Sequence, residues 1–333
     1  MQASLKSSNP LLPEIMTLHG KWRADKSAII ADGQVLNWSD FTARLNQVAN
    51  GLSALGLKKG DSVIVLMSNC GAMAEAMFGA IAGGFVCAPL NISVSDDAIL
   101  NMIDDSGAKA VFATPDQAAR LDTIAGRIPA NAWKTRICTG PAPNGWRGYD
   151  AWRAAQSADQ PDAIIAPDDA MNIIYSSGTT GQPKGIVQSH KSRRDWAYDL
   201  CIAHKYHAGT RTLAAIGLYS NINWIGMLCA FLSGAALVIA PRFDAGKIWA
   251  DIDALGITHT AMVPVMYERM LEADPGGKSG QNLEDVMCCG APLSPELKTK
   301  LLARFACGVT ELYGLTEGII TTLDAGDAPE TLR

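Results

Sequence analysis

The order of apolar segments predicts an α/β protein made of two doubly wound αβα sub-domains. Three observations carry that expectation. Short apolar runs alternate with stretches of helical periodicity, in two successive series. Strands separated by helices pair in parallel, because a parallel connection needs a crossover. The chain has 333 residues, more than one hydrophobic core usually spans, so two sub-domains are expected, at 1–165 and 166–333. With 48% hydrophobic and 18% charged residues, there is enough apolar material to fill both.

The first series opens with Trp38–Leu55. Phe41, Leu45, Val48, Leu52 and Leu55 recur at helical spacing, Ser39 can cap the start, and Gly56 stops the helix. Lys58–Asp61 reads as a turn and Ser62–Met67 as a buried strand. Ala72–Ile81 is a second helix, Phe85–Asn91 a strand, "DAILNMIDDSGA" a helix and "AVFAT" a strand. Residues 115–166 are less regular and rich in Ala, Pro, Asp and Gly, so the junction is placed there. The second series starts with the strand "AMNIIYSS" and a helix over Asp195–His204. It continues with "TLAAIGL", Trp224–Ser233, "AALVIA", Ala245–Leu255, "HTAMVP", Tyr267–Glu272, "DVMCCG", Pro295–Phe305 and "VTELYG", strand and helix in turn.

Several function classes are excluded at this stage. The net charge is −5 with no basic stripe, which argues against nucleic acid. The short cluster Lys191–Arg194, "KSRR", reads as a solvated helix face. Eight cysteines occur without a C-x-x-C pair, mostly in apolar runs, as expected of free thiols in a reducing cytosol. Cys288-Cys289 is the pair to watch, because a Gly-Ala-Pro turn follows it. The N-terminus has no secretory h-region and no run of eighteen apolar residues exists, so no membrane span and a cytoplasmic location are expected.

The densest chemistry lies in Tyr175–Gly185, "YSSGTTGQPKG", which follows the apolar run "MNII". A strand entering a loop of Ser, Thr and Gly suits a phosphate. Glycines let backbone N–H groups approach the anion, hydroxyls donate to its oxygens, and a lysine adds charge. The loop is not a Walker A sequence, which requires G-x-x-x-x-G-K-[ST]. Here Gly181 comes three residues after Gly178, Gly185 follows Lys184, and Pro183 blocks a helix at that point. No G-x-G-x-x-G follows a strand, which argues against a dinucleotide fold.

This loop resembles the signature of the adenylate-forming (AMP-binding) superfamily, which includes acyl- and aryl-CoA synthetases, adenylation domains and firefly-type luciferases. "LYGLTEG" (Leu312–Gly318) resembles the family's Tyr-Gly-x-Thr-Glu element, and "CCGAPLSPEL" its Gly-Ala-Pro turn and the helix after it. The likeness runs in order from about residue 20 to about residue 325. It implies that Ser176, Ser177, Gly178, Thr179, Thr180 and Gly181 hold the β- and γ-phosphates of ATP. Lys184 would add charge, Thr316 would contact the α-phosphate and Glu317 would help hold Mg²⁺. Tyr313 would stack on adenine, and Gly290, Ala291 and Pro292 would line the adenine and acyl sites. In this chemistry a carboxylate attacks the α-phosphorus, so donors and a metal are needed rather than a Ser-His-Asp triad. His190, His204, His207 and His259 are therefore expected to be structural or exposed.

The resemblance places an acid pocket around Tyr219, Asn221, Trp224, Val263, Pro264, Cys288, Cys289, Gly314 and Leu315. Many CoA synthetases carry a histidine where this chain has Ser220 and Asn221. No Lys or Arg is evident, so an uncharged fatty or aromatic acid is implied, with CoA as co-substrate. The family's later features are a β-barrel segment with a ribose-binding aspartate and a small C-terminal domain with a catalytic lysine. None of these is recognised after Thr321. The chain is thus expected to be an N-terminal domain of an acid–CoA ligase, weakly active or inactive alone. Alternatives are an adenylation domain that loads a carrier-protein thiol, and a non-catalytic binding protein with the same fold. A homodimer is one option for its assembly.

Overall fold

The structure is a computed structural model describing residues 9–129, 132–133, 135–176, 183–318 and 320–323. In chain order it contains α1 (Leu12–Trp22), β1 (Ser27–Ala31), β2 (Gln34–Asn37), α2 (Trp38–Ala54), β3 (Ser62–Leu66), α3 (Gly71–Ala82) and β4 (Val86–Pro89). Next come α4 (Asp96–Ser106), β5 (Ala110–Ala113), α5 (Pro115–Thr123), β6 (Thr135–Cys138), β7 (Arg147–Gly148), α6 (Tyr149–Ala154), β8 (Ala170–Ser176), β9 (Lys184–Ser189) and α7 (His190–Ala203). The remainder is β10 (Arg211–Ala214), α8 (Asn221–Ser233), β11 (Ala236–Ile239), α9 (Ala245–Leu255), β12 (His259–Met262), α10 (Pro264–Glu272), β13 (Asp285–Cys289), α11 (Pro295–Arg304), β14 (Thr310–Gly314) and β15 (Ile320–Leu323).

Two units result: residues 1–26 with 36–194, and residues 27–35 with 195–333. The first holds a seven-stranded sheet in the order β7-β6-β5-β3-β4-β8-β9. Its strands are parallel except β9, which runs antiparallel to β8. The second unit holds the order β15-β14-β13-β12-β10-β11-β1-β2. There β14 and β15 pair antiparallel, while β1 and β10–β14 are parallel. The central order β6-β5-β3-β4 in one sheet is matched by β13-β12-β10-β11 in the other. One βαβ plan is used twice.

The double winding shows in alternate strand residues. Val286 and Cys288 of β13 face a core shared with Ile248, Trp249, Tyr267 and Leu301 of α9, α10 and α11. Met287 and Cys289 face the opposite cluster, with Leu200 of α7 and Ile225 and Cys229 of α8. Successive side chains on a strand point to opposite faces, so one apolar run serves two helix layers.

Several expectations are corrected. Strand β8, expected to open the second unit, pairs with β4 and completes the first sheet. The α2 cap is Asn37, not Ser39: its Oδ1 accepts the Asp40 N–H at 2.7 Å. The cluster at Lys191–Arg194 is not a solvated face, because Arg193 is 2% exposed and Arg194 is also buried. Arg193 Nε donates to Asn172 Oδ1 at 3.0 Å, and Asn172 Nδ2 donates to Gln188 Oε1 at 2.9 Å, which ties α7 to β8 and β9. Residues 115–166 contain α5, β6, β7 and α6. Cys288 and Cys289, adjacent in sequence, lie on opposite faces of β13 and form no thiol pair. All eight cysteines are free, and Cys70, Cys201 and Cys307 are partly exposed. Among the described residues no helix is long and apolar enough to cross a membrane.

Candidate active site

Parallel strands release their following loops at one sheet edge. In the second unit the chain passes from β10 to β11 on one side, then to β12 on the other side of β10. That reversal opens a crevice at the carboxyl ends of the strands, the usual ligand position in such sheets. Several of the expected residues lie on the loops at this edge. Tyr219 and Asn221 follow β10, Val263 follows β12, Gly290–Pro292 follow β13, Gly314 ends β14 and Leu315 follows it.

At this edge lies a cavity of about 360 Å³, lined by Cys288, the Gly290–Pro292 turn, Glu311 to Gly314 of β14, and Thr321 and Leu323 of β15. Glu311 and Tyr313 share a strand face, two residues apart. Tyr313 is 68% exposed, so its ring face is open to a ligand. Glu311 pairs with Lys298 from α11. Glu311, Lys298 and Thr321 were missed by sequence reasoning. The period of two from Tyr313 could have found Glu311; Lys298 and Thr321 carry no local signal.

Gly290 sits at φ +84°, and a Cβ there would approach Ile222 Cδ1 at 2.9 Å and Val263 Cγ1 at 3.2 Å. The glycine lets the turn close against these two side chains. Ser220 caps α8, its Oγ accepting from Ile222 N at 3.4 Å. Tyr219 and Asn221 are partly exposed, whereas Trp224 is fully buried within α8 and Cys289 within the core between α7 and α8. Burial pushes the Cys288 and Cys289 thiols up to about 12, which keeps both protonated at neutral pH.

Thr316 and Glu317 occupy the turn between β14 and β15. Leu312 pairs with Thr322, Tyr313 with Thr321 and Gly314 with Ile320. The turn closes with Gly318 N–H donating to Leu315 O at 3.0 Å, and Gly318 adopts φ +113°. Glu317 is exposed. Among the described residues no group of three His, Cys, Asp or Glu could hold a metal alone. One exposed carboxylate beside a hydroxyl nevertheless fits Mg²⁺ delivered with a nucleotide, because that ion keeps waters and takes phosphate oxygens.

In the first unit, Ser177, Gly178, Thr179, Thr180 and Gly181 lie outside the described residues; Ser176 and Lys184 flank them. Ser176 pairs with Lys184 and Tyr175 with Gly185 across the β8–β9 hairpin. Tyr175 OH donates to Asp105 Oδ2 at 2.8 Å. A Cβ on Gly185 would lie 2.9 Å from Asp105 Oδ2 and 3.1 Å from the Tyr175 ring, so only glycine fits unshifted. The segment after Pro183 is a strand, unlike a Walker A loop, which leads into a helix.

The histidines are accounted for by structure. His204 Nδ1 meets Asp285 Oδ2 at 2.8 Å, and His259 Nε2 meets the His204 carbonyl at 2.9 Å. His207 is exposed and meets Glu284 at 3.0 Å. His190 is buried with neither ring nitrogen hydrogen-bonded, and burial lowers it to about 4.

Fold and edge crevice define the N-terminal domain architecture of adenylate-forming enzymes. The chain belongs to the AMP-binding enzyme family, whose sequence profile matches residues 19–332. It is 27% identical over 313 residues to a feruloyl-CoA synthase of Amycolatopsis sp, covering 92% of this chain and 60% of that protein. It is 28% identical to the fatty acid–[acyl-carrier-protein] ligase ScoC of Streptomyces coeruleorubidus, covering 92% and 59%. The chain thus spans about 60% of the length of these relatives. The N-terminal domain of FACL13 from Mycobacterium tuberculosis superposes with a TM-score of 0.86 at 24% identity, over 96% of this chain and 80% of that one. The anthranilate CoA ligase AuaEII superposes at 0.90 with 21% identity, over 98% and 64%.

Proposed function

We propose that the whole protein activates an uncharged fatty or aromatic acid with ATP and transfers the acyl group to coenzyme A, working in the cytoplasm. The observation that carries this reading is the cavity walled by Gly290–Pro292 and Tyr313, with Thr316 and Glu317 on the adjoining hairpin turn. Tyr313 stacks on adenine and the backbone of the turn edges it. The acid carboxylate attacks the α-phosphorus and pyrophosphate leaves, giving an acyl-adenylate. Thr316 donates to the α-phosphate oxygens, where negative charge builds. Glu317 would hold the Mg²⁺ that accompanies the nucleotide, which would supply charge neutralisation at the phosphates. The family resemblance alone assigns the β- and γ-phosphates to Ser176, Ser177, Gly178, Thr179, Thr180, Gly181 and Lys184. The acid tail runs along Tyr219, Asn221 and Val263, toward Gly314 and Leu315, and the apolar neighbour Ile222 supports an uncharged tail.

ATP–pyrophosphate exchange with a panel of fatty and aromatic acids tests this, on the chain and on any longer product of its reading frame. Exchange with one acid class is expected. Thr316→Ala and Glu317→Gln should lower it by roughly a hundred- to a thousand-fold. Exchange that is absent with every acid, or untouched by both substitutions, overturns the reading. The likeness to ScoC supports a second reading, in which the acceptor is a carrier-protein thiol. Product analysis with CoA and with a phosphopantetheinylated carrier separates the two.

A further inference from the structure

We propose that Cys201 and Cys229 form an oxidation site, in which peroxide joins the facing thiols of α7 and α8 as a disulfide. The residues belong to neighbouring helices of the same unit. Cys201 Sγ lies 3.5 Å from the Cys229 carbonyl oxygen, and Cys229 Sγ lies 3.9 Å from the Ala197 carbonyl, one turn earlier on α7. These reciprocal contacts aim each sulfur across the helix interface. The surroundings are apolar: Leu200, Ile225, Ala261 and Met287, with Tyr206 against them.

The two cysteines differ in access. Cys201 is partly exposed and Cys229 is buried. Peroxide therefore meets Cys201 first. The Cys201 sulfur takes one peroxide oxygen, giving a sulfenic acid and one water. The Cys229 sulfur then displaces that oxygen as a second water and forms the S–S bond. Two thiols are oxidised by two electrons, and one hydrogen peroxide is reduced to two waters. Burial holds the Cys229 thiol well above its ordinary range, so the second step quickens as pH rises. The bond tethers α8, whose first residue is Asn221, to α7.

The test treats the folded chain with hydrogen peroxide, alkylates the remaining thiols and maps peptides without reductant. The expected product is the Cys201 peptide joined to the Cys229 peptide, released by dithiothreitol and lost in Cys201→Ser. In Cys229→Ala, Cys201 should advance to the sulfinic acid, because no resolving thiol is in reach. A wild-type map in which Cys201 is alkylated, sulfinic, or joined to another cysteine while Cys229 stays free overturns the proposal. That map alone decides the matter if either variant fails to fold.

Discussion

Gly290 and His190 show how single positions set the terms for their surroundings. At Gly290 the left-handed φ of +84° excludes a side chain, and Ile222 and Val263 already occupy the space. Gly290→Ala should destabilise the chain by about 1–2 kcal/mol, chiefly through backbone strain, and displace the turn from the cavity. The urea midpoint measures the first effect and nucleotide titration the second. His190 works through protons. Its folded value of about 4 lies below the ordinary 6.5, with burial as the main cause, Asp169 opposing it and Lys59 adding to it. Between those values the unfolded chain binds more protons, so stability rises with pH across that window and falls on acidification. The loss from neutral pH to about pH 4 is roughly 3 kcal/mol. His190→Leu should flatten that part of the profile, and the difference between the two pH–stability curves isolates it. Arg193 shows the limit of sequence at this scale. Four adjacent residues read as "KSRR" look solvated, and the hydrogen bond to Asn172, 21 residues away along the chain, is what the local sequence does not reveal about a buried guanidinium.

At the level of elements, helices with a full apolar stripe were legible and short edge strands were not. The expected helix over Ala245–Leu255 matches α9 at both ends. The expected start of α2 at Trp38 is met, but the cap is Asn37 rather than Ser39: both suit a cap, and the side chain that meets a free N–H is Asn37. Asn37→Ala should cost about 1 kcal/mol, readable as a lower thermal midpoint, while Ser39→Ala should stay near wild type. The β1–β2 hairpin went unread although Asp32-Gly33 marks its turn, with φ of 55° and 73°. Its strands are only 5 and 4 residues long, too short for alternation to stand out. Helix α1 also has no counterpart in the sequence reading, though Leu12, Ile15 and Met16 form its buried stripe.

Over the whole molecule, the two-series rhythm and the motif order were legible, and the parentage of β8 was not. Its sequence carries no mark of which sheet it joins, since β8 is buried on both faces and either sheet would accept it. The reverse case is β1, an N-terminal segment that pairs with β11 through Ile29↔Leu237 and Ile30↔Val238. Residues 195–333 expressed alone should therefore leave the β11 edge unpaired and aggregate. Supplying residues 27–37 as a fused strand should restore a soluble species, measured by sedimentation. Solubility without that strand would show that the β11 edge tolerates exposure.

The same pairing has a consequence in time. A ribosome makes β1 early, and its partner β11 is made only after all of the first unit. During that interval Ala28, Ile29 and Ile30, buried in the finished sheet, have no sheet to join. The first unit can mature in sequence order around them, but the second cannot close until translation is far advanced. Nascent chains stalled before Leu237 should hold this short apolar strand accessible to chaperones, and those stalled after β14 should not.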